Sequence, residues 1–191
     1  RGKGPGTVNI TIGSGISPSL ADGELDTYSL LHSNESSIRG AHNLRLDFHP
    51  DAESENSVGL LLSHNEIGVD DGAVPAGYVP FDHIDQNILG AYVDWSVQGW
   101  RALGTVYFVR ADFATGEEYV KDHFLAAYLE VERQIRPTVA IVARQEYFSR
   151  ADSSLYLRLF PDRIEQKTMG GVRWDFARKQ ALKLEIATVT T

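Results

Sequence analysis

Apolar and polar residues alternate with a period of two along most of this chain, which is the pattern of β-strands with two different faces. A weaker stripe covers residues 7–12. Clearer apolar stripes lie at 44–48, 58–62, 89–97, 103–113, 125–131, 139–143, 172–176 and 182–186. The stripes predict about nine strands, many of them near the roughly ten residues that a membrane-spanning strand needs. The longest apolar run, 138–143, is far shorter than the roughly 18 residues of a membrane helix.

The predicted connections alternate in length along the chain. Shorter connections are expected at 50–56, 98–99, 133–137 and 177–180, and the intervening ones at 13–37, 68–86, 114–118 and 150–167. Three of the second group are long. Short turns at one rim and long loops at the other are typical of an antiparallel meander in the outer membrane. With no linker or repeat in view, the pattern predicts one domain over residues 1–191.

Composition narrows the function classes. The chain has 18 Lys+Arg against 26 Asp+Glu, a net charge of -8, and no basic run, which excludes an ordinary nucleic-acid binder. It has no cysteine, so it has neither disulfides nor thiolate metal ligands. Arg1 is not a natural start and no secretory signal is visible, so we expect a processed chain.

Alternation alone fits a soluble sheet, whose apolar face is the core, as well as a membrane barrel, whose apolar face meets lipid. Long strands favour the membrane. So do the aromatic residues near strand ends, such as Trp95, Trp100 and Trp174, because aromatic girdles mark the bilayer interfaces. An acid and a base also recur two residues apart on the polar face: Arg45/Asp47, Arg110/Asp112, Arg144/Glu146, Arg173/Asp175 and Lys183/Glu185.

The segment 170–176, followed by 180–185, resembles the C-terminal strands of Gram-negative outer-membrane porin-like β-barrels, and 90–95 is similar in style. The resemblance covers roughly the last half of the chain and implies a solute-passing barrel without a cofactor. Two features depart from it. The chain ends on Thr190-Thr191 instead of a terminal aromatic residue, and the strand count is odd. We therefore expect a partial barrel that lacks one or more strands, which leaves pore size open.

The two faces can be assigned residue by residue on this hypothesis. The charged residues expected to face the interior are Arg45, Asp47, Asp94, Arg110, Asp112, Glu130, Glu132, Arg144, Glu146, Arg173, Asp175, Lys183 and Glu185. The residues expected to face lipid are Leu89, Val93, Trp95, Leu125, Leu129, Ile141, Trp174, Leu182 and Leu184.

Two weaker groups of residues could form a metal-binding site or a catalytic site. Asp82, His83 and Asp85 place oxygen and imidazole ligands in one long connection, where a cation site competes with ordinary surface solvation. His64 and His123 near the loop rim, with a hydroxyl from 153–154, could serve a rim hydrolase. No elbow motif or orienting acid accompanies them.

The sequence thus predicts an all-β, antiparallel, up-and-down transmembrane barrel in the bacterial outer membrane. Its expected role is passive passage of small hydrophilic solutes or ions, without catalysis or a resident metal. Its expected partners are membrane lipid and those solutes, with no nucleic acid and with oligomerisation left open. Two alternatives stand beside it: a soluble calycin-like barrel that binds an apolar small ligand, and an outer-membrane barrel hydrolase.

Overall fold

The structure is a computed structural model that describes residues 6–17, 19–21, 24–26, 40–51, 55–69, 74, 77–78, 80–116, 118–160, 164–177 and 180–191, with backbone alone at 19–21 and 24–26. Eleven strands are present in this part of the chain: β1 Thr7–Ile16, β2 Ser19–Ala21, β3 Glu24–Asp26, β4 Gly40–His49, β5 Ser57–Val69, β6 His83–Val97, β7 Trp100–Thr115, β8 Glu118–Arg136, β9 Val139–Phe148, β10 Gln166–Ala177 and β11 Gln180–Thr190. The only other regular element described is a 3-10 turn, Leu157–Leu159.

Nine of these strands form one antiparallel meander in the order β1-β4-β5-β6-β7-β8-β9-β10-β11. The prediction of an all-β meander is therefore confirmed. In the described residues β1 and β11 are the two ends of this order and do not pair with each other, so the sheet is open. A closed transmembrane barrel is not established by this topology.

The predicted tight turn at Gln98-Gly99 joins β6 to β7. Both residues have positive φ, 50° and 78°, which is the backbone of a type I′ hairpin turn. Glycine supplies that conformation at Gly99 without steric cost. The turn therefore fixes the register in which Val97 faces Trp100.

Several strands are longer than their stripes predicted. β1 continues to Ile16, β5 to Val69, and β6 begins at His83, so the connections expected from Gly13 and from Gly68 start later. The first of these connections also holds a small hairpin, β2 with β3, and β2 adds parallel to the end of β5. Polar residues at these strand ends hid the extensions, because backbone pairing continues where the side-chain alternation fades.

One hydrophobic core lies against the sheet at the end of the longer connections. Ile67, Ile84, Val109 and Phe113 come from adjacent strands and are nearly inaccessible to solvent. They are covered by residues of the β9–β10 connection and by Phe81, whose ring meets that of Phe113 edge-on with centroids 4.9 Å apart. The fold therefore covers one face at one end of the sheet.

Candidate functional site on the two faces of the sheet

The strand register sorts every side chain onto one of two faces. Directly opposed residues of an antiparallel pair point to the same side, and successive residues point to opposite sides. One row runs across five strands and is apolar throughout: Leu44, Leu62, Leu89, Phe108 and Leu125. We call the side that carries this row the apolar face, and the side that carries Arg45, Tyr92 and Glu130 the polar face.

The apolar face is exposed over most of its area. Its large side chains include Ile12 at 80 %, Leu184 at 71 % and Phe108 at 47 % exposure. Further exposed residues of this face are Val8, Ile10, Phe48, Val58, Leu60, Leu62, Leu89, Trp95, Val106, Leu129, Ile141, Val172, Trp174, Leu182 and Ile186. Soluble monomers rarely expose a contiguous apolar patch larger than a few hundred Å². The described part of the chain leaves this face uncovered.

Two borders limit the apolar face along the strands. Trp95, Trp100, Trp174 and Phe176 lie beside the short turns, with the Arg133 guanidinium 4.9 Å from the Trp100 ring centroid. Toward the longer connections a polar row crosses six strands: Ser14, His42, His64, Asn87, Arg110 and His123. Ser14 and His42 share a hydrogen bond of 3.0 Å, and His64 and Asn87 share one of 3.1 Å. The apolar face therefore ends in aromatic rings at the short turns and in polar side chains toward the longer connections.

The apolar face covers part of the length of each strand. On β6 it extends from Leu89 to Val97, about 26 Å at roughly 3.3 Å per residue. If the strand were tilted by about 40° to the membrane normal, the band would be about 20 Å tall, a few Å below the usual 25 Å.

The polar face carries a series of ion pairs. Arg45 and Asp47 approach to 2.8 Å, Arg173 and Asp175 to 2.9 Å, and Arg144 pairs with Glu146 and Lys183 with Glu185 at 2.5 Å. Each of these pairs joins two residues of one strand that lie two positions apart. Arg101 instead reaches across to Asp94 with two hydrogen bonds. Charge is therefore balanced locally, and each half-exposed pair contributes little to stability.

Of the thirteen charged residues expected to face the interior, eleven share the polar face and two do not. Those that share the polar face by register are Arg45, Asp47, Asp94, Glu130, Glu132, Arg144, Glu146, Arg173, Asp175, Lys183 and Glu185. Arg110 and Asp112 pair with each other but lie on the apolar face, beside its polar border. The residues named as lipid-facing all lie on the apolar face: Leu89, Val93, Trp95, Leu125, Leu129, Ile141, Trp174, Leu182 and Leu184.

The position of Arg110 on the apolar face has a clear origin in β7. Val106 and Phe108 belong to the apolar face, whereas Val109, Ala111 and Phe113 lie on the polar face and are buried in the core. Two different apolar environments thus meet in one strand, and the continuous run 106–109 conceals the change of face. The sequence pattern counted all of 103–113 as one stripe.

The β9–β10 connection folds back onto the polar face, and we call its residues 150–160 the strap. Its anchor is Asp122 of β8, which is only 2 % exposed. The Asp122 carboxylate accepts hydrogen bonds from the Ser154 hydroxyl at 2.6 Å and from the Tyr156 backbone N–H at 2.9 Å. The Ser154 oxygen in turn accepts a bond from the N–H of Leu157. This small network holds the first turn of the strap against the sheet.

Aromatic packing completes the attachment of the strap. The Tyr156 ring stacks on Phe124 with centroids 5.8 Å apart, and the Tyr78 hydroxyl donates to the Leu155 carbonyl at 2.9 Å. Burial raises the pKa of Tyr156 to about 12, against the weaker opposing effect of a hydrogen bond with Gln86. The strap is therefore a packed part of the fold at neutral pH.

The hydrolase alternative named His64, His123 and a hydroxyl from 153–154, and the structure does not bring these histidines and hydroxyls together. His64 and His123 lie on the apolar face, where they contact Asn87 and Arg150. Ser154 is buried on the polar side with Asp122, and the hydroxyl of Ser153 contacts Arg150. No Ser–His pair forms among the described residues named in that hypothesis.

The potential metal donors that lie together in the structure differ from the weak candidate set in the sequence. Glu66, His83 and Asp85 offer three ligand atoms that lie within 4.8 Å of one another, because Glu66 stands directly opposite Asp85. All three are half-buried at the rim of the apolar face. Asp82 belongs elsewhere, since its carboxylate accepts a bond from the Gly116 N–H. Two carboxylates and an imidazole are a donor set suited to a divalent transition metal.

Sequence reasoning missed Asp122 and Tyr156 as positioning residues. Asp122 lies between Lys121 and His123 and reads as one charge of a solvated stretch. The available signal was the apolar series Leu155, Leu157 and Leu159 inside a long connection, which is unusual for a loop in water.

No family model, curated protein or solved structure matches the chain. Within its described part, no helix is long and apolar enough to cross a bilayer.

Proposed function

We propose that this chain forms the wall of a bacterial outer-membrane β-barrel of the porin-like kind, which lets small hydrophilic solutes or ions pass. One observation carries the proposal: a continuous apolar face across nine strands is exposed while the opposite face is charged. Lipid would cover the first face and water the second. A closed barrel would require the edges of β1 and β11 to be paired, because unpaired backbone groups are costly in lipid.

The borders of the apolar face support the same reading. Aromatic rings at one end and a histidine-containing polar row at the other are suited to the two interfaces of a bilayer. The longer connections and the strap lie at the second end. In this arrangement the ion pairs of the polar face line the interior, where opposite charges two residues apart keep the lining polar without a large net charge.

The soluble calycin-like alternative assigns the faces in the opposite sense. There the apolar face would enclose a cavity and the charged face would be wet. The described core instead forms on the polar face under the strap, and residues such as Ile12 and Leu184 stay uncovered. This distribution favours the membrane proposal over that alternative.

The test uses two neighbouring positions on β7 that face opposite sides. Val106 lies on the apolar face and Thr105 on the polar face, and the chain has no cysteine of its own. We expect a fluorophore on Val106→Cys in lipid vesicles to be quenched several-fold more by lipid-borne quenchers than one on Thr105→Cys. The two labels share strand and depth, so the comparison isolates the facing direction.

Equal quenching at both positions, or stronger quenching at Thr105→Cys, would reject the membrane assignment. A protein that remains monodisperse in plain buffer without binding vesicles would reject it as well.

A further inference from the structure

A cavity of about 390 Å³ lies between the strap and the polar face of β8 and β9. Its walls are Phe124, Phe148, Tyr156, Leu157, Phe160 and Ile164, and Glu146 is the only acidic or basic residue among its described lining residues. Its volume falls within the range of small-molecule sites, which are mostly apolar with few polar groups. The apolar face and its proposed lipid contacts take no part in this cavity.

The aromatic walls are held in place by contacts that do not involve a ligand. Tyr156 stacks on Phe124 and meets Phe160 with centroids 5.6 Å apart. Asp122 fixes the backbone of Tyr156, as described above. The cavity is therefore preformed, and a ligand would not have to order the strap in order to bind.

The charge state of Glu146 selects the ligand class. Its carboxylate already pairs with Arg144, whose guanidinium lies 4.4 Å from the centroid of the Tyr128 ring. The pair is neutral as a whole, so neither an organic cation nor an anion gains a net opposite charge. A carboxylate has about four lone-pair sites, so it can accept a bond from a ligand while it binds Arg144.

We infer that this cavity is a binding site for a small uncharged aromatic molecule with one hydroxyl, which donates its proton in a hydrogen bond to Glu146. The ring would lie among Phe124, Tyr156 and Phe160, where aromatic groups gain from offset and edge-on contacts. The inference goes beyond solute passage. It does not rest on the proposed function, because the lining residues form the cavity whether or not the protein lies in a membrane.

The test compares four probes with one ring system: 2-naphthol, 2-methoxynaphthalene, 2-naphthoate and 2-naphthylmethylammonium. Binding to the purified protein is measured by saturation-transfer NMR and isothermal titration, with the solubilising medium alone as the blank. We expect saturable binding of 2-naphthol, about tenfold weaker binding of the methoxy compound that cannot donate, and no gain for either ion.

Two variants with the same substitution locate the site. Ile164→Trp fills the cavity and should weaken 2-naphthol binding at least tenfold. Ile186→Trp, on the exposed apolar face, should leave the affinity unchanged. If Ile164→Trp does not fold, Glu146→Gln is used with the probe pair instead: the preference for the hydroxyl over the methoxy compound should shrink several-fold.

Absence of saturable 2-naphthol binding above the blank would overturn the inference. Equal binding by both tryptophan variants would overturn the location, and tighter binding of 2-naphthoate would overturn the role of Glu146 in favour of Arg144. None of these results bears on lipid quenching at Val106, so failure here is distinguishable from failure of the membrane proposal.

Discussion

At the residue scale, Asp122 is the side chain on which the strap most depends. It is nearly inaccessible, and its carboxylate satisfies a hydroxyl and a backbone N–H of the strap. Arg150 adds a more distant charge contact at 3.9 Å. A buried acceptor with several donors cannot be removed without leaving those donors unpaired, and each unpaired group costs about 1–3 kcal/mol.

Replacement of Asp122 by alanine should therefore loosen the strap by about 3 kcal/mol, the cost of one or two unsatisfied buried donors. Tryptic cleavage after Arg158, measured against time, reports this opening, and we expect it to be accelerated in Asp122→Ala. Asp122→Asn keeps an acceptor oxygen and should be much less affected.

Asp112→Ala is the matched control, because that carboxylate pairs with Arg110 on the other face. Cleavage in Asp122→Ala at the rate of this control would show that Asp122 does not hold the strap.

Glycines on the polar face show a second residue-scale constraint. A Cβ atom at Gly90 would lie 2.5 Å from the Tyr107 ring, so the absence of a side chain there admits the ring of the neighbouring strand. The Tyr107 ring packs partly against the buried core. Small residues in the strands thus make room for large rings on the same face.

At the element scale, each strand is defined by the contrast between its two faces. On β5, Leu60 belongs to the exposed apolar face and Ser63 to the polar face, although both lie in one continuous strand. Register makes this contrast collective, because a slip by one residue would move every side chain to the opposite face. The strand is therefore specified by the alternation more than by any single contact.

The element-scale prediction compares the same charge on the two faces of β5. Leu60→Arg should destabilise the protein in lipid by about 2–4 kcal/mol, the cost of a cation near the bilayer midplane. Ser63→Arg should cost less, since its neighbours on the polar face are not lipid. Equilibrium urea unfolding in lipid vesicles, followed by circular dichroism, measures the difference. Equal costs at the two positions would contradict the proposed facing.

At the scale of the whole molecule, the polar face is uneven along the strands. Toward the short turns it is a surface of ion pairs, and toward the longer connections it is covered by the strap and the core. If solutes move along this face, the covered end is the narrowest part of their route. The strap then sets the rate of passage from its position on the polar face.

We accordingly expect that replacing residues 151–159 by a short Gly-Ser linker raises the permeability of vesicles that contain the protein. Liposome swelling in small neutral sugars measures the rate, and Asp122→Asn, which retains the strap, is the control. If neither the original chain nor the linker variant produces swelling above empty vesicles, passage is rejected while the membrane location stays open to the quenching test.

The sequence by itself determined the local features of this protein. Period-two alternation predicted the nine strands of the meander, and Gln98-Gly99 predicted its tight turn, because backbone geometry within a few residues decides both. The spacing of Arg45 and Asp47 likewise placed both on one face, since side chains two residues apart in a strand point the same way.

Tertiary structure alone decided what each apolar or charged residue meets. Arg110 lies on the apolar face because its neighbour Val109, together with Phe113, packs on the other face under the strap. The strap is a segment about forty residues further along the chain. Glu66 joined His83 and Asp85 only through the pairing of β5 with β6. Asp122 became an anchor only through its hydrogen bonds with Ser154 and Tyr156, which come from a distant segment of the chain. Alternation determines which side chains share a face of a strand. Only contacts between distant segments decide what covers that face at each position along the strand.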